Sequence, residues 1–394
     1  MTTMTSLKTI GGLVFAFALF SFAPKEKVIL VKVKNNLNKV RSYETVTLTK
    51  SFLKVDDLNP LGIRDKKTGK LVVTQLVDVD GDGTMDELLF QPVVSAKTTQ
   101  EFEVISVTAS ERPQAPDYCY SRFVPERTDD YTWENNKVAF RVYGPVAQKM
   151  IEDKIKGGTL SSGVDAWLKR VEYPIINRWY KKATDKTGSY HEDTGEGLDN
   201  FHVGVSRGVG GIAVKVKDQY YYGKNYTAWR TITTGPIRTS FYLKYEDWDA
   251  NGNKIVESKV ISLDLGSHFS KFETSLEGTK KIEAGLTLHE KKGKVTGNKK
   301  NGWVSYYEPI GDSEIGTAIV ASKKYFCNFE TYDTPKPDLS NAYATLKVKN
   351  NKVVYYAGFA WKKQGDIKNA QEWQEYLNQF SENINNPLEV SLVK

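Results

Sequence analysis

The strongest constraint on this chain is its rhythm. Short runs of β-branched and aromatic residues recur along most of its length, and turn formers cut each one off. Residues 28–33, 43–48, 71–76, 87–91 and 102–107 open the series. Residues 239–245, 254–265, 271–275, 285–289, 304–307, 316–321, 342–348 and 353–360 continue it. Runs this short at this spacing suit the strands of a sandwich or barrel. Residues 133–143 read as a hairpin turning at Asn135-Asn136, and 201–216 as a strand interrupted by Gly208, Gly210 and Gly211. Two segments break the rhythm. Residues 146–180 read as a helical or irregular insertion, with Val164, Trp167, Leu168 and Val171 at helical spacing and Pro174 as its limit. Residues 370–380 read as a C-terminal helix carrying Trp373, Tyr376, Leu377 and Phe380 on one face. The expected fold is mainly β: a large two-sheet antiparallel sandwich with a short helical insertion and a C-terminal helix.

The 394 residues include 22 Tyr and 8 Trp, which fit β-sheets and the flat faces that meet sugar rings. The net charge of +7 is spread without a dense basic block or nucleic-acid motif, so no nucleic-acid partner is expected and an anionic ligand is favoured. The N-terminus reads as a secretory signal over residues 1–23: Lys8, an apolar core over 10–22, then Ser21-Phe22-Ala23. That predicts export, to the periplasm in the first instance, with no membrane association after signal removal. It leaves residues 24–394 as one catalytic domain. Cys119 and Cys327 are too few for a disulfide framework.

Titratable groups crowd into residues 188–202, which hold Tyr190, His191, Glu192, Asp193, Glu196, Asp199 and His202 in a setting with no strand or helix period. Two of the chain's four histidines lie here, and histidine is the side chain best suited to proton transfer near neutral pH. A solvated acidic turn fits the same composition. Residues 78–86 place Asp78, Asp80, Asp82 and Asp86 at positions 1, 3, 5 and 9 of a calcium loop. Gly83 stands at the turn and Thr84 at the carbonyl position, but Leu89 replaces the bidentate Glu. A structural calcium and a tight Asp/Gly turn both suit this spacing. Residues 247–253 show a weaker version that is first a hairpin turn. Arg141, Arg207, Arg230 and Arg238 are candidate carboxylate grips, with an internal ion pair as the alternative for each. Nucleophile elbow, phosphate loop, dinucleotide fingerprint and zinc cluster are all missing from the sequence.

Four stretches carry a family likeness: 78–91, 133–145, 190–199 and 235–241. Together they resemble a family of exported bacterial proteins filed as a domain of unknown function, whose members sit in polysaccharide-utilisation gene clusters for uronic-acid glycans. The run Tyr190-His191-Glu192-Asp193-Thr194-Gly195-Glu196-Gly197-Leu198-Asp199 is the most specific part. The resemblance extends to ulvan-oligosaccharide dehydratase and implies a supersandwich like that of mutarotases. It also implies removal of water from a non-reducing-end uronic acid to give a 4,5-unsaturated sugar.

Such chemistry needs a base for the weakly acidic C5 proton, an acid for the departing hydroxyl and a cation at the carboxylate. His191 is the expected base or acid, with Tyr190 or a downstream tyrosine, Tyr221 or Tyr222, as partner and His202 and His289 in reserve. Arg141 or Arg207 is expected at the carboxylate, with Arg238 and Lys169 as further cations and Trp167 as a sugar platform. No cofactor is required for the chemistry. The alternatives are β-elimination of a glycosidic bond, hydrolysis by Glu192 and Glu196, and non-catalytic sugar binding.

Overall fold

A computed structural model describes residues 28–336 and 338–393; the expected signal segment lies outside them. Among the described residues no helix is long and apolar enough to cross a membrane. The architecture is mainly β, and its named strand pairs are antiparallel.

A nine-stranded sheet runs from Tyr226–Thr233 at one edge to Lys294–Asn298 at the other. It packs over a five-stranded sheet centred on Val209–Val216, Lys281–Thr287 and Asn341–Lys347. The two-residue period decides which side chains meet between them. Ile282, Ala284 and Leu286 turn inward on one strand, and Ala342, Ala344 and Leu346 do so on its neighbour. A second five-stranded sheet prolongs this layer, in the spatial order Tyr120–Val124, Asp130–Glu134, Ala139–Val142, Asp165–Lys169, Gly197–Leu198. Tyr131 of this sheet stacks on Phe241 and Phe140 meets Phe359, both across the core. Val164, just before Asp165–Lys169, bridges Gly208 in parallel fashion and joins the two five-stranded sheets. Gly208 has φ +56°, and a Cβ there would stand 1.9 Å from the Val164 carbonyl oxygen, so the join requires glycine.

Residues 28–107 build a smaller pair of sheets around a core of their own, including Val31, Val33, Ile63, Leu88 and Phe102. The last strand, Glu389–Leu392, returns to pair with Ile29–Lys34 at the edge of this unit. Gln75 ties the unit to the large sandwich: its amide donates to Thr233 Oγ1 and the Arg238 carbonyl, and its Oε1 accepts from the Ile237 and Arg238 amides. The C-terminal helix, Ala370–Asn385, starts at an Asn369 cap and stacks Trp373, Tyr376 and Phe380 against Phe269.

The expected insertion at 146–180 is divided differently. Helices span Pro145–Glu152 and Ile176–Thr184. Between them Asp165–Lys169 is a strand, buried at all five positions. A strand covered on both faces shows no alternation, so its apolar residues mimic helical spacing. The strand expected over 201–216 begins only at Val209. Residues 199–207 instead form a loop, where the edge of Asp165–Lys169 passes from one strand partner to another.

Candidate active site

That loop walls a cavity of about 510 Å³. Its floor is Asp130, Arg141 and Tyr143 from neighbouring strands, its flank is Arg127 from the turn Pro125–Arg127, and His191 and residues 199–205 close the other side.

Arg141 lies at the centre. Its Nε and Nη2 donate to Asp165 Oδ2 at 2.9 and 2.6 Å, and Nη2 also donates to Asp199 Oδ2 at 3.0 Å. Asp130 Oδ2 is 3.7 Å from Nη1 and accepts from the Tyr180 hydroxyl at 3.1 Å. Tyr143, Trp167 and Tyr190 surround the guanidinium with their rings. Three buried carboxylates thus share one buried cation. Burial pushes the Asp130 carboxyl up to about 6 against the pull of Arg141. Burial together with the neighbouring Asp199 charge pushes Asp165 up to about 7, and burial raises Asp199 as well. The cluster therefore binds protons more tightly than free carboxylates do.

His191 stands at the rim with its side chain 60% exposed. Its Nδ1 lies 2.6 Å from the Asp199 carbonyl oxygen, an atom that can only accept, so Nδ1 carries the hydrogen. Nε2 is then the unprotonated nitrogen of the neutral ring. Local structure explains the motif around it. Tyr190 stacks on Trp167, its carbonyl accepts from the Asp199 amide, and its hydroxyl meets Arg127 Nε at 3.3 Å. Gly197 has φ +113°, and a Cβ there would strike the Leu168 carbonyl. Arg127 itself is half-buried and makes no ion pair among the described residues.

Of the residues expected from sequence, His191, Arg141 and His202 line the cavity, and Tyr190 packs directly behind it. Arg141 is committed to internal carboxylates and is not free to grip a substrate. The others belong elsewhere. Lys169 is buried with its ammonium on Glu134 Oε2, the Asn135 carbonyl and the Tyr173 carbonyl. Trp167 is wholly buried beneath Arg141, Trp179, Tyr180 and Tyr190, so no sugar reaches its face. Arg207 is buried with its guanidinium on Ser162 and the Val205 carbonyl and stacked on Tyr222, which removes both from the cavity. Arg238 is paired with Asp264. His289 is an internal prop: Phe201 stacks on it, and its Nε2 accepts from the His202 amide at 2.7 Å. Burial lowers its pKa, which keeps that nitrogen an acceptor. Glu196 is held by Tyr173, Trp179 and Arg178, and neither it nor Glu192 lines the cavity. Arg127, Asp130, Tyr143 and Asp165 were not anticipated. Their signal was an unperiodic polar stretch, 121–130, in a chain otherwise made of strands, and an aspartate set between Val164 and Ala166.

In the Asp-rich loop, Asp78, Asp80 and Asp86 bring carboxylate oxygens within 4.8 Å of one another, as a calcium loop requires. Asp82 does not join them, because its carboxylate accepts from the amide and hydroxyl of Thr84. Lys50 reaches in, 3.1 Å from Asp86 Oδ1. Cys119 and Cys327 are both free thiols.

The fold is similar to a protein in the Glycosyl Hydrolase Family 38 from Enterococcus faecalis, with a TM-score of 0.49 and 10% identity over 95% of this chain and 48% of that one. It is also similar to an alpha-mannosidase from Enterococcus faecalis V583, with a TM-score of 0.44 and 10% identity over 93% and 46% of the two chains. The chain spans about half the length of these two proteins. In sequence it is 54% identical to "Uncharacterized protein P7" of Formosa agariphila over 383 residues, 96% of this chain and 97% of that protein. Residues 33–390 match one family across the small unit, the large sandwich and the cavity together, and the chain belongs to it: Domain of unknown function (DUF4861).

Proposed function

We propose that this protein is a carbon–oxygen lyase that dehydrates the terminal uronic acid of an anionic, ulvan-like oligosaccharide to a 4,5-unsaturated sugar. The observation that carries this reading is one cavity in which a histidine held through Nδ1, and Arg127, an arginine with no ion pair among the described residues, line the same space as a buried carboxylate cluster. In this reading Arg127 holds the substrate carboxylate, where negative charge grows as the C5 proton leaves, and His191 Nε2 takes that proton. Tyr143, whose hydroxyl burial keeps protonated, offers a neutral donor in the floor. A volume of about 510 Å³ suits the end of a chain, one or two sugar rings, better than a long groove.

The positive residue and apolar run at the N-terminus support a reaction outside the cytoplasm, in the periplasm. The Asp78, Asp80 and Asp86 group is assigned a structural calcium, remote from the chemistry. The test is a set of uronate oligosaccharides followed by ultraviolet absorbance and product mass. Dehydration gives an absorbing product lighter by one water with its glycosidic bonds intact. An absorbing product of a split chain indicates β-elimination, a split chain with added water indicates hydrolysis, and a bound but unchanged sugar indicates a binding protein. Each of the last three outcomes excludes the dehydratase reading.

A further inference from the structure

The carboxylate cluster contains one member that the reading above leaves without a task. Asp165 and Asp199 are both engaged by Arg141 at hydrogen-bond distance. Asp130 is not: its nearest guanidinium nitrogen is 3.7 Å away, and its hydrogen bond is from Tyr180. It is also the cluster's member in the cavity floor, although only 2% of its surface is exposed. Asp199 meets the cavity too, but at the rim, where its carbonyl holds His191. The charges facing Asp130 are Arg141 and Arg127 on the positive side and Asp165 and Asp199 on the negative side, with the neutral phenols of Tyr180, Tyr143 and Tyr226 around them. Three buried carboxylates against one buried guanidinium and one half-buried one leave an excess of negative charge, which a single retained proton removes.

We propose that Asp130 is the general acid of this site, the group that protonates the oxygen leaving C4; this rests on the dehydratase reading. The step balances without any co-reactant. His191 Nε2 takes the C5 proton, the C5–H electron pair forms the C4=C5 double bond, and the C4–O bond breaks. The proton on the Asp130 carboxyl goes to the departing hydroxyl, which leaves as water. An imidazolium and a carboxylate remain, and one proton lost to solvent and one regained restore the site. The two catalytic groups line the same cavity from different elements, His191 from the loop after Ile176–Thr184 and Asp130 from the strand Asp130–Glu134. That arrangement suits abstraction at one carbon and protonation at the next.

The experiment compares the parent protein with Asp130→Asn on two terminal uronates, one with a hydroxyl at C4 and one with fluorine, which departs without a proton. Loss of a general acid costs about 10²–10⁴-fold with the hydroxyl substrate. KM should stay near the parental value, and the fluoride should be turned over within a few-fold of the parent. Equal losses on both substrates overturn the acid role. Circular dichroism checks that Asp130→Asn folds. If it does not, Tyr180→Phe decides. Removing the hydroxyl that stabilises the Asp130 carboxylate must move the alkaline limb of the kcat profile, which starts from a group at about 6, to higher pH. An unmoved limb overturns the role equally. A folded parent protein that converts neither uronate defeats the dehydratase reading itself, and the acid role with it.

Discussion

At the scale of single residues, the cavity sorts the polar groups by the company they keep. Arg141 looked like a substrate grip because an arginine in an apolar strand needs an anion. The structure supplies two anions at hydrogen-bond distance from inside the protein, and the proposed reading therefore gives the substrate-facing role to Arg127, which lines the cavity. His191→Asn is therefore expected to lower kcat by about 10²–10⁴-fold with affinity retained. Arg127→Met is expected to weaken binding and turnover together, with partial recovery in Arg127→Lys, because a point charge replaces a fork. Steady-state kinetics with direct binding measurements separate the two, and a parental kcat in His191→Asn excludes it as the base. The cluster also has a signature in stability. Burial and the Asp199 charge raise Asp165 in the folded state to about 7 from an unfolded value near 4. Its folded form holds a proton more tightly, so its contribution is fully present below about pH 4 and is lost as pH rises through about 7. Asp165→Asn removes that titration. Its stability relative to the parent should improve steadily from pH 4 to pH 8 in urea unfolding, and a constant difference would show that Asp165 does not titrate in this range. His191 was legible in the sequence because it stood among acids in an unperiodic loop. Asp130 and Asp165 were not, because what sets them apart is their burial and the side chains the fold brings around them, Arg141 and Arg127 beside Asp130 and Arg141 and Asp199 beside Asp165, which spacing along the chain does not show.

At the scale of elements, legibility followed burial on one face or two. The strand Asn253–Asp264, whose burial alternates along most of its length, was readable from its pattern, and so was the helix Ala370–Asn385, with its aromatic stripe and Asn369 cap. Asp165–Lys169, covered on both faces, was not. The Asp-rich loop was legible as a loop, but its occupancy turns on a contact that no spacing reveals: the Lys50 ammonium beside Asp86. An ammonium and a divalent cation compete for the same oxygens. Calcium is therefore expected to raise the melting temperature, chelator to reverse the gain, and Lys50→Met to enlarge the response, since ligand bound by the folded state alone stabilises it. Thermal scans with and without calcium check this, and flat responses in both proteins rule the site out.

At the scale of the whole molecule, the sandwich was legible in outline because strand count and turn spacing carry it. The split of one layer into two sheets was not, because it depends on a single join between Val164 and Gly208. The cavity owes its position to that split: where two strands compete for one edge, the chain between them must leave the sheet, and here it leaves as the wall of the site. The small unit has a different lesson. Its edge pairs Ile29–Lys34 with Glu389–Leu392, so Lys34 and Glu389 touch although 355 positions separate them along the chain. The order of the sequence and the order of the fold are thus independent at this edge. A circularly permuted gene, with residue 393 joined to residue 28 by a short flexible linker and new ends opened at the exposed hairpin Asn251-Gly252, should yield a protein with the parent's circular dichroism and cavity. In such a permutant the two edge strands are neighbours from the start, and a pairing that now closes across nearly the whole chain becomes a local hairpin that is expected to form early in refolding.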